Sequence, residues 1–420
     1  MVNEKLGRNV VSSIALVSLA GNIAWAVENQ YYNLFMYNAL SPNPIYISIM
    51  LALTTVVGTI SSIIMGSFSD VRGKRRPFIL YGFIFWAITT AIFPLSAFFL
   101  PFGVGFAIFI AILFDCIMTF FGAISLTAGL NAYITDITSL ESRGKAMGVS
   151  QMMSLISLAI VYGAAGFLIN AVGYYAFFYL VGGFVALMGI SGGFLVKDSD
   201  LLNPLDVGTF QNIKNTFKRT HSSTRKNFLI VLVVICVWNT GFNVFFPYIL
   251  IYLQHYLGFS IAVYSVLLLI PFSVSIIMAY PLGILTDKLG RKKTSLISTF
   301  TFFAFVFLFG LVRDLILLII MGSLWLISFT CISIATSSWV KDLYPDEGRG
   351  QFSGYVNLLW ASIPSIIGPL IGGWLASEFG IYAIINGQPG YIPTPMIFFV
   401  GAILILLSLI PLYYAKEEKQ

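Results

Sequence analysis

The chain has 420 residues, 58% of them hydrophobic and only 10% charged. A soluble protein carries about a quarter charged residues, so a water-facing surface over the whole molecule is excluded and lipid is the solvent for most of the chain. The net charge of +6 is set by loops between apolar runs, which removes nucleic acid as its explanation.

Runs long enough to span a bilayer are expected at 10–38, 45–67, 78–99, 103–130, 146–170, 174–195, 228–254, 260–283, 295–312, 315–340, 351–376 and 395–414. The first nine residues, MVNEKLGRN, lead into no small-residue cleavage site, so no removed signal peptide is expected. Every Lys and Arg except Arg313 falls on the side of the N-terminus and alternate loops. The positive-inside rule then puts both termini in the cytoplasm of a plasma-membrane protein. Cys116, Cys236 and Cys331 fall in separate runs and show neither pairing nor metal spacing, so no metal and no cofactor are expected. The polar stretch 197–227 divides the chain into halves at 1–196 and 228–420.

Between the second and third runs lies GSFSDVRGKRR (66–76), and between the eighth and ninth GILTDKLGRKK (283–293). Both read G-x3-D-x2-G with a basic tail, 217 residues apart. After the fourth run comes DITSLESRGKAMG (136–148), and after the tenth DLYPDEGRGQFSG (342–354), 206 residues apart. Two patterns recurring in order show a duplicated chain. Gly73 and Gly290 permit a tight turn. Gly66, Asp70, Arg75, Asp136, Glu141 and Arg143, with Gly283, Asp287, Arg291, Asp342, Glu347 and Arg349, supply carboxylates and guanidinia for ion pairs that can hold one conformation and break in another. These residues are the candidate cytoplasmic gate.

The loop 66–76 resembles the hallmark of the major facilitator superfamily, G-x3-D-[RK]-x-G-[RK]-[RK], with Val71 where the family has a basic residue; Lys288 restores the pattern in the second copy. The resemblance covers the chain. It implies an all-α membrane fold of twelve helices in two six-helix bundles, pseudo-twofold related with inverted 3+3 repeats, and a cavity lined by helices 1, 4, 7 and 10. WAVENQYYNLF (25–35) with an acid in helix 4 further resembles glycoside–cation and sucrose–proton symporters. The acids that melibiose-type relatives carry in helix 2 are missing, as is the proline-containing helix-5 signature of drug antiporters.

Two ionisable side chains fall well inside the runs, Glu28 and Asp115, and no Lys or Arg accompanies them. An ionised carboxylate at mid-membrane costs about 2.5–3.5 kcal/mol on insertion scales, so each must be protonated, hydrated or holding a cation. Both are candidates to couple H+ or Na+. Helical spacing puts Asn22, Trp25, Asn29 and Tyr32 on one stripe, and the 217-residue displacement carries Asn22 and Trp25 to Asn239 and Phe242, beside Asn243. With Ser333, Asn357 and Trp360 they form the candidate substrate wall. The absence of Arg and Lys disfavours phosphate and carboxylate substrates. Amides and aromatic faces suit a neutral sugar or glycoside, or a lipophilic cation. The expectation is a monomeric cation-coupled symporter of a small neutral polar solute, not an enzyme. An uncoupled facilitator and a proton-coupled exporter of lipophilic or cationic compounds stay open.

Overall fold

The computed structural model describes residues 7–138, 140–198, 208–209, 225–343 and 356–417. Among them, eleven helices are long and apolar enough to cross a membrane. One covers two of the expected spans: the run Leu140–Leu195 breaks at Gly173, whose φ of 77° and ψ of 171° leave helical space. Split there, the helices in chain order are α1 (Arg8–Leu40), α2 (Pro44–Arg72), α3 (Arg76–Phe102), α4 (Val104–Ile137), α5 (140–172), α6 (174–195), α7 (Lys226–Tyr256), α8 (Ile261–Leu289), α9 (Arg291–Leu311), α10 (Leu315–Asp342), α11 (Leu358–Glu378) and α12 (Met396–Tyr414). Large apolar side chains such as Phe102, Ile277 and Tyr280 point outward, as they must where lipid replaces water.

The chain divides into two compact units. The first comprises Met1–Leu40 and Leu53–Asn215, the second Ser41–Ala52 and Thr216–Gln420. In the first, α1 packs along α5 on a seam of serines: Ser18 Oγ donates to Ser150 Oγ (2.9 Å) and Ser157 Oγ to the Leu19 carbonyl (3.1 Å). Apolar burial gives no preference for helix pairing inside lipid, so small residues and interhelical hydrogen bonds fix such contacts.

In the second unit the same job falls to glycine. A Cβ on Gly241 of α7 would lie 2.6 Å from the Gly401 carbonyl of α12, so the two backbones meet directly. The segment Ser41–Ala52 belongs with this unit through its hydrogen bonds. Ser48 Oγ meets the Tyr248 hydroxyl at 2.8 Å, and that hydroxyl reaches the Pro369 carbonyl at 2.9 Å. Tyr391 N donates to the Pro42 carbonyl at 2.9 Å.

Tyr391 lies in a structure absent from the sequence expectations, an antiparallel hairpin of β1 (Ile381–Ile385) and β2 (Gln388–Ile392) with Ile381 opposite Ile392. Asn386 and Gly387 form its turn, both at positive φ. Asn-Gly is the residue pair that this two-residue turn favours.

Candidate functional site

α1 is not a uniform α-helix. It turns to π geometry at Glu28–Tyr32 and again at Met36–Leu40, and such bulges rotate side chains out of the 3.6-residue phase. The expected stripe therefore breaks. Asn22 and Trp25 are half-buried and Asn29 is exposed. Tyr32 is buried instead, stacked on Phe93 of α3 at 3.6 Å between ring centroids.

The bulge carries Glu28 into the first unit. Its Oε1 accepts from Thr119 Oγ1 of α4 at 2.8 Å, and its carboxyl lies within hydrogen-bonding reach of Asp115, one turn earlier on α4. Glu28 is 4% exposed and Asp115 0%. The Tyr32 hydroxyl lies beside Thr90 of α3 and within electrostatic reach of both acids. With both acids ionised, Glu28 Oε2 and both Asp115 oxygens lack any donor. Among the described residues no Lys or Arg forms an ion pair with either. Two adjacent buried negative charges cannot both persist. One proton between the carboxyls removes a charge and supplies the missing donor.

The duplication tests whether the fold needs this polarity. The 217-residue displacement carries Glu28 to Phe245, and, since α10 lacks the π turn of α4 at Ala123–Leu130, Asp115 falls opposite Gly322 and Thr119 opposite Leu326. No acid stands at these places: Phe245 packs edge to face on Trp325 at 5.7 Å, where Glu28 is held by a hydrogen bond. An apolar filling serves the same packing position, so packing does not explain the acids.

The candidate wall residues are more occupied with partners on their own and neighbouring helices than their sequence pattern suggests. Asn22 donates to the Ser18 carbonyl (2.7 Å) and accepts from Ser154 Oγ (3.0 Å). Asn29 donates to the Trp25 carbonyl at 2.8 Å. Asn239 donates to the Trp360 carbonyl at 2.5 Å, and Asn243 to the Asn239 carbonyl at 2.8 Å. Trp25 sits edge-on to Trp86 at 5.1 Å. Phe242 lies against Phe246 and Phe329 at 4.5 and 4.6 Å, and Trp360 is edge-on to Trp238 at 6.0 Å. Ser333 is half-buried on α10, and Asn357, just before α11, is exposed.

Each repeated loop builds an ion-pair latch. Arg75, in the short turn after α2, donates from Nη2 to Asp70 (2.6 Å), from Nε to Asp136 (2.8 Å) and from Nη1 to Ser69 Oγ (2.7 Å). Burial works against the Arg75 charge, but the hydrogen bonds to Asp136 and Asp70 hold its pKa above the ordinary arginine value. In the second copy, Arg291 donates to Asp287 and to Asp342 (3.1 Å). Gly73 and Gly290 stand at φ 60° and 88°, which is what lets each turn close. Gly66 and Gly283 lie on α2 and α8, before their latches. Glu347 and Arg349 lie outside the described residues, and of Glu141 and Arg143 only the helical backbone is described.

A third member of each latch escapes the motif reading. Asp198, after α6, accepts from the backbone N–H groups of Arg75 (2.6 Å) and Arg76 (2.9 Å), capping α3. Glu417, after α12, accepts from those of Arg291 and Lys292 (3.0 Å), capping α9. A carboxylate there satisfies free donors and complements the helix dipole. Lys197–Asp198 and Lys416–Glu417 are the sequence signal, a basic–acidic pair closing each half.

Duplicated six-helix halves, matched charged latches and a buried acid pair define a multi-pass membrane transporter rather than an enzyme. The chain belongs to the Major Facilitator Superfamily, whose sequence profile matches residues 14–274 and 234–420. It is 22% identical over 328 residues to Multidrug resistance protein 2 of Bacillus subtilis (strain 168), covering 78% of each chain. It is 24% identical over 337 residues to Multidrug resistance protein 1 of the same organism, covering 78% of this chain and 79% of that one. The fold matches the nucleoside transporter NupG (TM-score 0.73, 12% identity, 97% and 100% of the two chains). It also matches a D-xylose-proton symporter (TM-score 0.69, 18% identity, 95% and 96%).

Proposed function

We propose that this protein is a secondary transporter of the plasma membrane, working by alternating access as a monomer. Its basic loops and both termini lie in the cytoplasm, and it is driven by a cation that binds the Glu28–Asp115 pair. The observation that carries the proposal is that pair: two buried carboxyls with no basic partner among the described residues, and an apolar filling at the equivalent place in the second unit. The coupling cation is the proton, because one proton between the carboxyls removes a charge and joins two of the three orphaned oxygens. Asp70, Asp136 and Arg75, with Asp287, Asp342 and Arg291, act as the conformational latches.

The substrate is a small lipophilic compound, neutral or cationic, carried outward in exchange for protons. Trp25 in the first unit, and Phe242 and Trp360 in the second, are the aromatic faces offered to it. The sequence expectation of a sugar rested on amides free to meet hydroxyls. Asn22, Asn29, Asn239 and Asn243 instead turn donors onto backbone carbonyls, which weakens that reading. The names of the two Bacillus relatives support the lipophilic one. Import of a neutral sugar is the second reading, favoured by the matched amide positions Asn22 and Asn239.

Proteoliposomes with imposed pH or Na+ gradients discriminate these readings, using a fluorescent lipophilic cation and a panel of radiolabelled sugars. A proton gradient should drive the dye. Sugar movement without dye movement would transfer the assignment to the second reading, and indifference to both gradients would remove coupling altogether.

A further inference from the structure

Outside the acid pair and the latches, the first unit holds a groove of about 300 Å³ between α2, α3 and α4. Its walls are aromatic, with Phe68 of α2, Phe78 and Tyr81 of α3 and Phe121 of α4, and at the end formed by the α2–α3 turn stand Arg72 and Lys74. Tyr81 is 65% exposed, so the groove opens outward. The Arg72 guanidinium lies 4.2 Å from the centroid of the Phe68 ring, a contact that holds the cation over the groove. Neither Arg72 nor Lys74 forms an ion pair among the described residues. By contrast, Arg75, next to Lys74, takes two carboxylates.

The duplicated half shows that the fold does not require the groove. Past the turn, where Arg291 stands in the place of Arg75, the displacement is 216 residues, so Phe78 falls opposite Thr294 and Tyr81 opposite Ile297, while Arg72, before the turn, falls opposite Leu289. Thr294 is buried and Ile297 is 48% exposed. The first half therefore keeps an unpaired guanidinium and two aromatic rings where the second has Leu289, Thr294 and Ile297.

We propose that an anionic phospholipid of the cytoplasmic leaflet occupies this groove, its phosphate held by Arg72 and Lys74 and an acyl chain lying along Phe68, Phe78, Tyr81 and Phe121. The position of the cations decides the occupant. With basic loops in the cytoplasm, they stand at the surface of the leaflet that carries anionic lipid, and basic pockets between helices on that side recognise such headgroups. A soluble phosphate compound would leave the aromatic slot unfilled. The headgroup would sit on the turn that carries Gly73, next to the Asp70–Arg75 latch, so the lipid would bear on the same segment that the latch restrains.

The test is lipid binding to the purified full-length protein in detergent, read by native mass spectrometry and thermal shift, independently of transport. Dioleoyl phosphatidylglycerol is titrated against dioleoyl phosphatidylcholine, and inorganic phosphate is a third arm. Two cations predict a preference of roughly thirty-fold for phosphatidylglycerol. The pair R72Q and K74Q should abolish that preference, bringing phosphatidylglycerol down to the affinity of phosphatidylcholine. The pair F78S and Y81S, which removes both rings from the groove wall, should weaken both lipids. Equal binding of the two lipids by the native protein, or a preference that survives R72Q and K74Q, overturns the proposal. So does inorganic phosphate shifting the melting temperature as strongly as the anionic lipid, which would assign the cations to a soluble ligand.

Discussion

Asp115→Asn is the substitution that bears most directly on coupling. The amide has the size of the carboxyl and carries a permanent N–H, which can donate to Glu28 Oε2, one of the three orphaned oxygens. The pair is thereby locked in the arrangement that the native protein reaches only with a proton bound. Folding should survive, because no buried group loses a partner. Transport driven by protons should not. A gradient of one pH unit is worth about 1.4 kcal/mol per proton, equal to a tenfold solute ratio. In proteoliposomes the native protein should approach tenfold accumulation of the dye per proton exchanged. Asp115→Asn should stay near onefold, while equilibrium exchange of labelled for unlabelled dye continues. Accumulation by Asp115→Asn at the native level would refute the assignment of the proton to this pair.

Other outcomes follow from the geometry. Asp115→Leu removes the carboxyl beside Glu28 and leaves Glu28 Oε2 without a partner, a cost of about 1–3 kcal/mol, so its melting temperature should fall below that of Asp115→Asn. Arg75 is 5% exposed, with partners at 45% and 18%, so Arg75→Ala strands a half-buried carboxylate and should cost roughly 3–5 kcal/mol in a thermal melt. Arg291 is 21% exposed and its partners 70% and 38%, so Arg291→Ala should cost about 1 kcal/mol or less; equal losses would contradict this ranking. A Cβ on Gly373 would lie 1.8 Å from Ser48 Oγ, so Gly373→Ala should destabilise by about 1–3 kcal/mol. Adding Ser48→Ala should recover part of that loss in the same melt.

The architecture could be read from the chain because lipid imposes a simple rule. Each span must be a long apolar helix, and each basic loop marks a side. The latches were legible for a related reason: Asp70, Gly73 and Arg75 lie close together in sequence, so turn chemistry fixes their geometry, and the duplication repeats them. The acid pair was legible only as two separate residues. Glu28 and Asp115 sit on different helices, and the π turn that rotates Glu28 toward α4 has no sequence marker comparable to a proline or glycine. The same rotation moved Tyr32 off the expected stripe and under Phe93. The hairpin, in contrast, has a clear signal in Asn386–Gly387, masked by the two long apolar runs that flank the segment. Asp198 and Glu417 were hidden by distance, since each caps a helix more than a hundred positions earlier in the chain.

The exchange of Glu28 for Phe245 also orders events in the history of the molecule. An ancestor assembled from two identical halves would have held two acid clusters or none, and its ion count per complex would have been even. A chain with a single cluster became possible only after the halves were fused and free to diverge. From then on, one half could keep the charge-bearing interior while the other accumulated aromatic packing. A buried acid pair in one half alone is thus a property that divergence after duplication makes available, and that exact symmetry forbids.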